Sequence, residues 1–169
     1  MLKPAARRIP DWKVPKQYGS WVFDQGSLTK RLIEASNNNF SVRVTYQGWA
    51  VPSLEERRIL KVRERQKALV REVELLCFGE VWVIARSIIP KTTLSGYERQ
   101  LQYLGDKPLG AFLFKSRVMT RSKLESVSLV KQFKEPVFGR RSVFFLRQKP
   151  LLVSELFMPR VFEASKREK

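Results

Sequence analysis

Two charged side chains, Arg71 and Glu155, occur in segments that otherwise have the alternating pattern of apolar β-strands. In a strand, every second residue points to the same face of the sheet. Because an isolated charge is costly to bury, each side chain is expected to have a partner. The apolar residues predicted on the same two faces are Leu151, Val153 and Phe157 around Glu155, and Leu69, Val73, Leu75 and Cys77 around Arg71.

The pattern leaves three arrangements open for this pair of charges. Arg71 and Glu155 can form a buried salt bridge, which would add little net stability because desolvation offsets the attraction. They can instead face a cavity that holds an anionic ligand. Arg71 would then bind a carboxylate through its forked guanidinium, and Glu155 would bind a hydroxyl at the far end of the ligand. Either side chain can also turn to solvent at a strand end.

The chain contains no His and one Cys, and this limits the chemistry available to it. The absence of His excludes Ser-His-Asp and Cys-His nucleophiles, together with the most common zinc ligand. A single Cys excludes a Cys-only zinc site and an intrachain disulfide framework. Cys77 is predicted to be a buried core thiol in a reducing cytoplasm. Proton transfer must therefore use Asp, Glu, Lys, Tyr, Cys, water or the substrate itself.

The net charge is +17, from 33 Lys and Arg against 16 Asp and Glu. Such an excess can mark a nucleic-acid binder or a surface that steers a small polyanion to its site. The basic residues are spread from Arg7 to Lys169, and their densest cluster, residues 55–67, interleaves acids and has no aromatic residue for base stacking. We therefore expect no obligate nucleic-acid partner. No apolar run reaches the roughly 18 residues of a membrane span.

The hydrophobic periodicity predicts an α+β fold with one antiparallel sheet and helices packed on it. We expect one domain over residues 1–169, with loosely ordered ends at 1–20 and 160–169. The predicted helices are 27–36, 94–105 and a short one beginning near Pro108; the last two would form a helix-turn-helix. Ser27 is the predicted N-cap of the first helix. In the second, Ser95 and Glu98 have capping-box spacing, and Leu101 and Leu104 fall on one helical stripe. The predicted strands are 40–49, 68–77, 81–89, 142–148 and 151–158, the last two joined across Lys149 and Pro150. In the first strand, the alternation places Phe40, Val42, Val44 and Tyr46 inward and Ser41, Arg43, Thr45 and Gln47 outward.

Five segments give the chain a resemblance to a known family, the chorismate pyruvate-lyases of ubiquinone biosynthesis. The match extends over roughly residues 26–159, and the ordered set is more specific than any one segment. The segments are GSLTKRL (26–32), REVELL (71–76), IPKTTLSGYERQLQYLGDKPLGAFLF (89–114), FGRRSVF (138–144) and KPLLVSELFMP (149–159).

The resemblance implies a sheet of about six antiparallel strands, with helices on one side and helix-turn-helix flaps over an internal site. It implies conversion of chorismate to 4-hydroxybenzoate and pyruvate, without a metal or organic cofactor. Arg71 corresponds to the family arginine that binds the ring carboxylate, and Glu155 to the glutamate near the 4-hydroxyl. Leu109 corresponds to a position whose backbone lines the ligand site, and Leu28 stands where the family has a Met.

Chorismate can aromatise without a catalytic His, because its enolpyruvyl methylene reaches the departing ring hydrogen through a six-membered arrangement. A protein that holds this conformer catalyses by orientation and electrostatics. Arg121, Arg140 and Arg141 are candidates to bind the enolpyruvyl carboxylate, although Arg140 and Arg141 are also typical of surface charge before a strand. Glu155 would orient the 4-hydroxyl or transfer a proton. The 94–114 segment is a candidate lid.

A second reading is a non-catalytic sensor of a small aromatic acid, because the same fold is thought to recur in the ligand-binding domains of some transcription regulators. Such a sensor would normally carry a DNA-binding domain in front, and only about 25 residues precede GSLTKRL here. We therefore expect an enzyme, active as a cytoplasmic monomer, over a sensor or a nucleic-acid-binding protein.

Overall fold

The protein is built on one eight-stranded antiparallel β-sheet, seen in a computed structural model that describes residues 6–130 and 132–165. The strand order is β1-β6-β7-β8-β4-β3-β2, and β5 pairs with β7 beside β6. The strands are β1 Arg7–Arg8, β2 Phe40–Ala50, β3 Ala68–Cys77, β4 Glu80–Ile89, β5 Met119–Arg121, β6 Glu125–Leu129, β7 Val137–Leu146 and β8 Lys149–Phe157.

Short helices connect and cover the strands. The N-cap predicted for α2 is confirmed, because the Ser27 hydroxyl accepts a hydrogen bond from the Lys30 amide. The α-helices are α1 Gly19–Val22, α2 Leu28–Ala35, α3 Leu54–Leu60, α4 Leu109–Lys115 and α5 Arg160–Ser165. The 3₁₀-helices are Asp11–Lys13, Lys16–Tyr18, Lys91–Thr93 and Gly96–Tyr103.

The α+β class and the single antiparallel sheet are confirmed, but the expected strand number and the placement of helices on one side are wrong. The site face, defined as the sheet face that bears Arg71 and Glu155, is covered by α1, α2, α4 and the Gly96–Tyr103 helix. Helix α3 packs on the opposite face, where Leu60 contacts Val70 and Leu152. Both faces of the central strands are therefore apolar, as is usual for strands covered on both sides.

Tight two-residue turns join the central hairpins. Phe78 and Gly79 connect β3 to β4, and Arg147 and Gln148 connect β7 to β8; all four residues have positive φ, as type I′ turns require. The predicted junction at Lys149 and Pro150 is therefore wrong. Pro150 pairs with Phe145 inside the sheet, and its carbonyl accepts a hydrogen bond from Thr93 Oγ1 at 2.6 Å.

A β-bulge in β2 changes which of its residues point to the site face. The register shifts between Val44 and Tyr46, so that Tyr46 pairs with Glu72 and Gln47 pairs with Arg71. The predicted alternation placed Tyr46 inward and Gln47 outward, and beyond the bulge this assignment is wrong. One inserted residue exchanges the two faces of a strand.

The segment predicted as a helix over 94–105 forms the 3₁₀-helix Gly96–Tyr103, and the Ser95 side chain makes no cap. At the two chain ends, residues 1–5 and 166–169 lie outside the described residues. Of the remaining parts, Arg7 and Arg8 pair with β6, and residues 160–165 form α5. Among the described residues, no helix is long and apolar enough to cross a membrane.

Candidate active site

A cavity lies between the site face of the sheet and helices α2 and α4. It is lined by the four residues that the resemblance predicts to contact the ligand: Arg71, Glu155, Leu109 and Leu28. The uncharged side chains on its sheet side are mostly apolar, and its helix side is apolar except for Thr29. The remaining lining residues are Thr29, Val42, Val73, Leu75, Ala85, Ser87, Pro108, Gly110, Leu113, Phe114, Arg121, Arg140, Phe144 and Val153.

Arg71 is a buried cation whose hydrogen bonds go only to neutral groups. Its Nη1 donates to Gln47 Oε1 at 2.9 Å, and its Nη2 donates to the carbonyls of Gly105 and Lys107 at 2.8 and 3.0 Å. Across residues 6–130 and 132–165, no carboxylate lies within ion-pair distance of it. Burial lowers the pKa of the Arg71 guanidinium, as expected for a charge without a counter-ion.

The contact between Gln47 and Arg71 was not predicted, because the bulge that creates it leaves no clear sequence signal. Gln47 also donates through Nε2 to the Gln102 carbonyl at 2.8 Å. The same amide therefore holds Arg71 from the sheet and the Gly96–Tyr103 helix from above. Together with the Arg71 bonds to residues 105 and 107, it ties the cover of the cavity to the cation.

Glu155 has its own partner, and this partner is Arg140 instead of Arg71. Arg140 Nε donates to Glu155 Oε2 at 2.7 Å, and the two residues are directly opposite each other on β7 and β8. Arg140 Nη1 donates to the carbonyls of Trp21 and Asp24. The buried Arg71–Glu155 salt bridge is therefore not formed. Glu155 keeps part of its carboxylate toward the cavity, with 16% of its side chain exposed.

The three arginines that were candidates to bind the enolpyruvyl carboxylate lie on different faces of the sheet. Arg121 and Arg140 line the cavity. Arg141 points to the opposite face, where it pairs with Glu55 at 2.8 Å and Glu125 at 2.9 Å, so its candidacy is wrong. The reason is the strand period of two, which sends consecutive residues of β7 to opposite faces.

The cavity has an excess of positive charge. Its charged lining residues are Arg71, Arg121, Arg140 and Glu155, which gives a net charge of two positive units. The enclosed volume is about 40 Å³, enough for a few water molecules. A ring-sized ligand therefore enters only if the covering residues move.

The cover is fastened to the sheet through a buried ion pair. Lys149 Nζ, at the start of β8, donates to Glu98 Oε2 at 2.8 Å and to the Ser95 carbonyl at 2.9 Å. Burial raises the pKa of Glu98, but the hydrogen bond and charge of Lys149 outweigh it, so the pKa lies below the ordinary value. We call residues 91–115, from the Lys91–Thr93 helix through α4, the cover segment.

The described residues contain no group of three His, Cys, Asp or Glu side chains that would hold a metal ion. The acidic clusters outside the cavity are ion-paired. On the opposite face, Arg86 binds Glu56 at 2.7 Å and Glu72 at 2.6 Å, and it fixes α3 to β3 and β4. The charged side chains that line the cavity are three arginines and one carboxylate.

Comparison with known proteins assigns this chain to a family. The family model described as chorismate lyase matches residues 7–167. The chain belongs to the chorismate lyase family. A probable chorismate pyruvate-lyase of Methylococcus capsulatus is 44% identical over 153 residues, which cover 84% of this chain and 94% of the relative. Another, of Marinobacter nauticus, is 38% identical over 167 residues, covering 98% and 88%.

Two solved structures have a fold similar to that of this chain. PhnF from Mycobacterium smegmatis aligns with a TM-score of 0.60 at 12% identity, over 81% of this chain and 65% of that chain. The ligand-binding domain of a putative GntR-family regulator from Bordetella bronchiseptica aligns with a TM-score of 0.52 at 16% identity, over 71% and 83%. These likenesses show a shared fold only.

Proposed function

We propose that this chorismate lyase family member converts chorismate to 4-hydroxybenzoate and pyruvate in the cavity between the sheet and α4. One observation carries the proposal. Within a closed cavity, a buried arginine on β3 pairs with no acid among the described residues, and a carboxylate lies two strands away on β8. Two strand spacings are about 10 Å. Across this distance between β3 and β8, the long side chains of Arg71 and Glu155 can contact the two ends of a single six-membered ring.

In this function, Arg71 binds the ring carboxylate and Glu155 accepts a hydrogen bond from the 4-hydroxyl. Leu109 and Leu28, at the first positions of α4 and α2, line the space for the ring. The Gln47 bond presets the guanidinium before the substrate arrives. Preset donors of this kind bind an anion without reorganising at the moment of reaction.

The reaction itself requires a fixed conformation more than a strong base. The hydrogen on the carbon that bears the 4-hydroxyl moves to the enolpyruvyl methylene, while the ether bond to the neighbouring ring carbon breaks. The ether oxygen becomes the ketone oxygen of pyruvate, and the ring becomes aromatic. Holding the enolpyruvyl group over that hydrogen is an orientation effect, and the enclosed cavity strengthens the attraction between arginine and developing negative charge.

The decisive experiment follows both products from purified protein and chorismate. Pyruvate is measured with a coupled dehydrogenase and 4-hydroxybenzoate by absorbance. We expect equal amounts, formed well above the spontaneous rate. Tight binding of 4-hydroxybenzoate without turnover would identify a sensor, and binding of neither compound would overturn both readings.

Arg71→Gln tests the carboxylate contact, and Arg43→Gln is its matched control. Arg43 lies on the neighbouring strand β2 and pairs with Glu74 at the exposed surface. Loss of two charge-assisted hydrogen bonds, each about 1.5 kcal/mol, weakens 4-hydroxybenzoate binding roughly 100-fold. The Arg43 variant should bind normally. Equal affinity of the two variants in calorimetry would disprove the assignment of Arg71.

We propose that the 1–169 domain acts as a monomer in the cytoplasm. Light scattering of the purified protein, measured together with turnover across a dilution series, tests the oligomeric part. A specific activity that falls on dilution would contradict it.

A further inference from the structure

We infer that Arg121 forms a second carboxylate-binding subsite at the Glu155 end of the cavity, where it takes the carboxylate of the enolpyruvyl group. The inference rests on the proposed function and goes further, because it names the group that distinguishes substrate from aromatic product. Chorismate has two carboxylates and 4-hydroxybenzoate has one. A subsite for the second carboxylate therefore acts on the substrate alone.

The guanidinium of Arg121 is held in place but is not neutralised. Its Nε donates to Ser142 Oγ at 2.9 Å, and its plane lies over the Phe144 ring, 4.7 Å from the ring centroid. Nη1 makes only a long contact of 3.5 Å with the Gln25 carbonyl. Among the described residues, no carboxylate pairs with Arg121 and no hydrogen bond uses Nη2. The outer edge of the fork is thus available to an anion.

The sheet register places Arg121 on the correct side of Glu155. Arg71, Ser87, Val153 and Ser142 form one row across β3, β4, β8 and β7. Arg121 is bound to Ser142 at the far end of this row. Strand β8, which carries Glu155, therefore lies between the strands of Arg71 and Arg121. In chorismate the ring carboxylate is opposite the 4-hydroxyl, and the enolpyruvyl ether is next to that hydroxyl. If Arg71 holds the first carboxylate, the second extends past Glu155 toward Arg121.

The other two arginines near this end of the cavity already bind protein groups. Arg140 donates to Glu155 and to the Trp21 and Asp24 carbonyls, and Arg141 faces the opposite side of the sheet. Burial, followed by the positive charge of Arg140, lowers the pKa of Arg121, while Glu155 and Asp24 raise it in part. Two carboxylates would balance the net positive charge of the cavity lining.

This position also suits the chemistry. A carboxylate bound at Arg121 fixes the enolpyruvyl group at its outer end, so the methylene stays near the ring hydrogen that it receives. The guanidinium lies beside the ether oxygen, where negative charge develops as the bond to the ring breaks. Ser142 and Phe144 act as positioning residues for Arg121.

The test compares chorismate with 4-hydroxybenzoate in Arg121→Gln, Arg121→Lys and a matched control, Arg117→Gln. Arg117 is exposed just before β5 and does not line the cavity. We expect Arg121→Gln to lower kcat/KM for chorismate at least 100-fold and to leave the Kd of 4-hydroxybenzoate within threefold. Lysine should restore part of the loss, because it keeps the charge without the fork. The control should match the wild type in both measurements.

Ser142→Ala gives an independent readout of positioning. It frees the guanidinium without removing its charge, so we expect about a tenfold loss in kcat/KM and unchanged product affinity. Far-UV circular dichroism and thermal unfolding check each fold. Because no carboxylate among the described residues pairs with Arg121, its replacement orphans none of them, and Arg121→Lys serves if Arg121→Gln fails to fold.

Two results would overturn the subsite. One is an equal loss of chorismate and 4-hydroxybenzoate affinity in Arg121→Gln, which would give Arg121 a role in the ring site or in folding. The other is unchanged kcat/KM. If the wild type binds chorismate without turning it over, the proposed function fails, while calorimetric binding of the two ligands to the same variants still tests the subsite.

Discussion

Arg140 and Glu155 form an ion pair in the cavity, and the Arg140 side chain is only 2% exposed. A carboxylate that is already paired keeps a fixed direction, which suits a residue that orients a hydroxyl. The same pairing makes Glu155 important for stability, because removal of one member of a buried pair leaves the other without compensation. Functional and structural effects of Glu155 variants must therefore be separated.

A double-mutant cycle on Glu155→Gln and Arg140→Gln separates them. Glutamine at 155 still accepts a hydrogen bond from Arg140 but loses the charge, so we expect each single variant to lose about 2 kcal/mol of unfolding free energy. The double variant should lose clearly less than the sum, since neither charge is then orphaned. Urea denaturation measures all four proteins. Strict additivity would show that the pair contributes no coupling.

The Cys77 thiol gives a second prediction at the scale of single residues. Burial raises its pKa from 9.0 to about 11, although a hydrogen bond with Ser36 lowers it in part. The protonated thiol is therefore favoured in the fold, and this stability is complete below pH 9 and lost as pH rises through 11. We expect Ellman's reagent to react at pH 8 only after urea is added, and the Tm to fall between pH 9 and 11. Rapid labelling of the folded protein would contradict this.

Sequence periodicity predicted the Arg71 and Glu155 positions because both lie on long strands without an interruption before them. It did not predict Gln47, since a bulge exchanged the faces of β2, nor the partner of Glu155, since the partner depends on the pairing of β7 with β8. Register across strands follows from turns and packing that a single sequence does not display. Charge spacing therefore predicted that Arg71 and Glu155 face the same cavity, but not the contacts that each side chain makes there.

At the scale of elements, the cover segment differs most from its sequence pattern. Its Leu101 and Leu104 are buried as the helical stripe predicts, but the backbone forms a 3₁₀-helix. The capping-box partner Glu98 instead turns to Lys149 on β8, so a tertiary ion pair replaces the local cap. Such helices have weaker hydrogen-bond geometry than α-helices, which favours local opening.

Lys149→Gln should loosen this cover. It removes the buried ion pair with Glu98 and leaves that carboxylate without its main partner, so we expect faster amide exchange in residues 94–107 and severalfold faster release of 4-hydroxybenzoate. Hydrogen exchange and stopped-flow competition measure the two effects. In the wild type, the pKa of Glu98 is lowered in the fold. The stabilisation from its ion pair with Lys149 is therefore present above about pH 4.5 and is lost as pH falls below that value.

Arg147→Gln is the control for the cover. Arg147 is 3.6 Å from the same carboxylate but is 62% exposed, and exposed pairs contribute little. Its exchange and release rates should stay near those of the wild type. Equal effects of the two variants, or unchanged exchange in Lys149→Gln, would show that the ion pair does not fasten the cover.

At the scale of the whole molecule, the α+β class and the single sheet were predictable from the long alternating segments. Strands β1 and β5 were not, because two or three residues show no period, and β6 is only slightly longer. Helix α3 was also missed, since its charged sequence hides the few side chains that pack on the opposite face. Short elements at the sheet edge form because neighbouring strands and side chains pair and pack with them. These tertiary contacts are visible only in the assembled fold.

The net charge of +17 gives a prediction for substrate capture. A strongly positive protein attracts a dianion, and salt weakens this attraction, with a Debye length of about 10 Å at 0.1 M. We therefore expect kcat/KM for chorismate to fall roughly tenfold between 10 mM and 500 mM sodium chloride, whereas kcat changes less than twofold. Steady-state kinetics over this range measure both.

A charge-reversal variant distinguishes long-range attraction from salt effects inside the cavity. Arg58, Arg63 and Lys67 are exposed and do not line the cavity, and their joint replacement by Glu lowers the net charge by two for each position. At low salt this variant should have a reduced kcat/KM with an unchanged kcat, and at high salt it should converge on the wild type. A constant ratio at all salt concentrations would mean that the surface charge does not serve substrate capture, and that the salt dependence arises at Arg71 and Arg121 themselves.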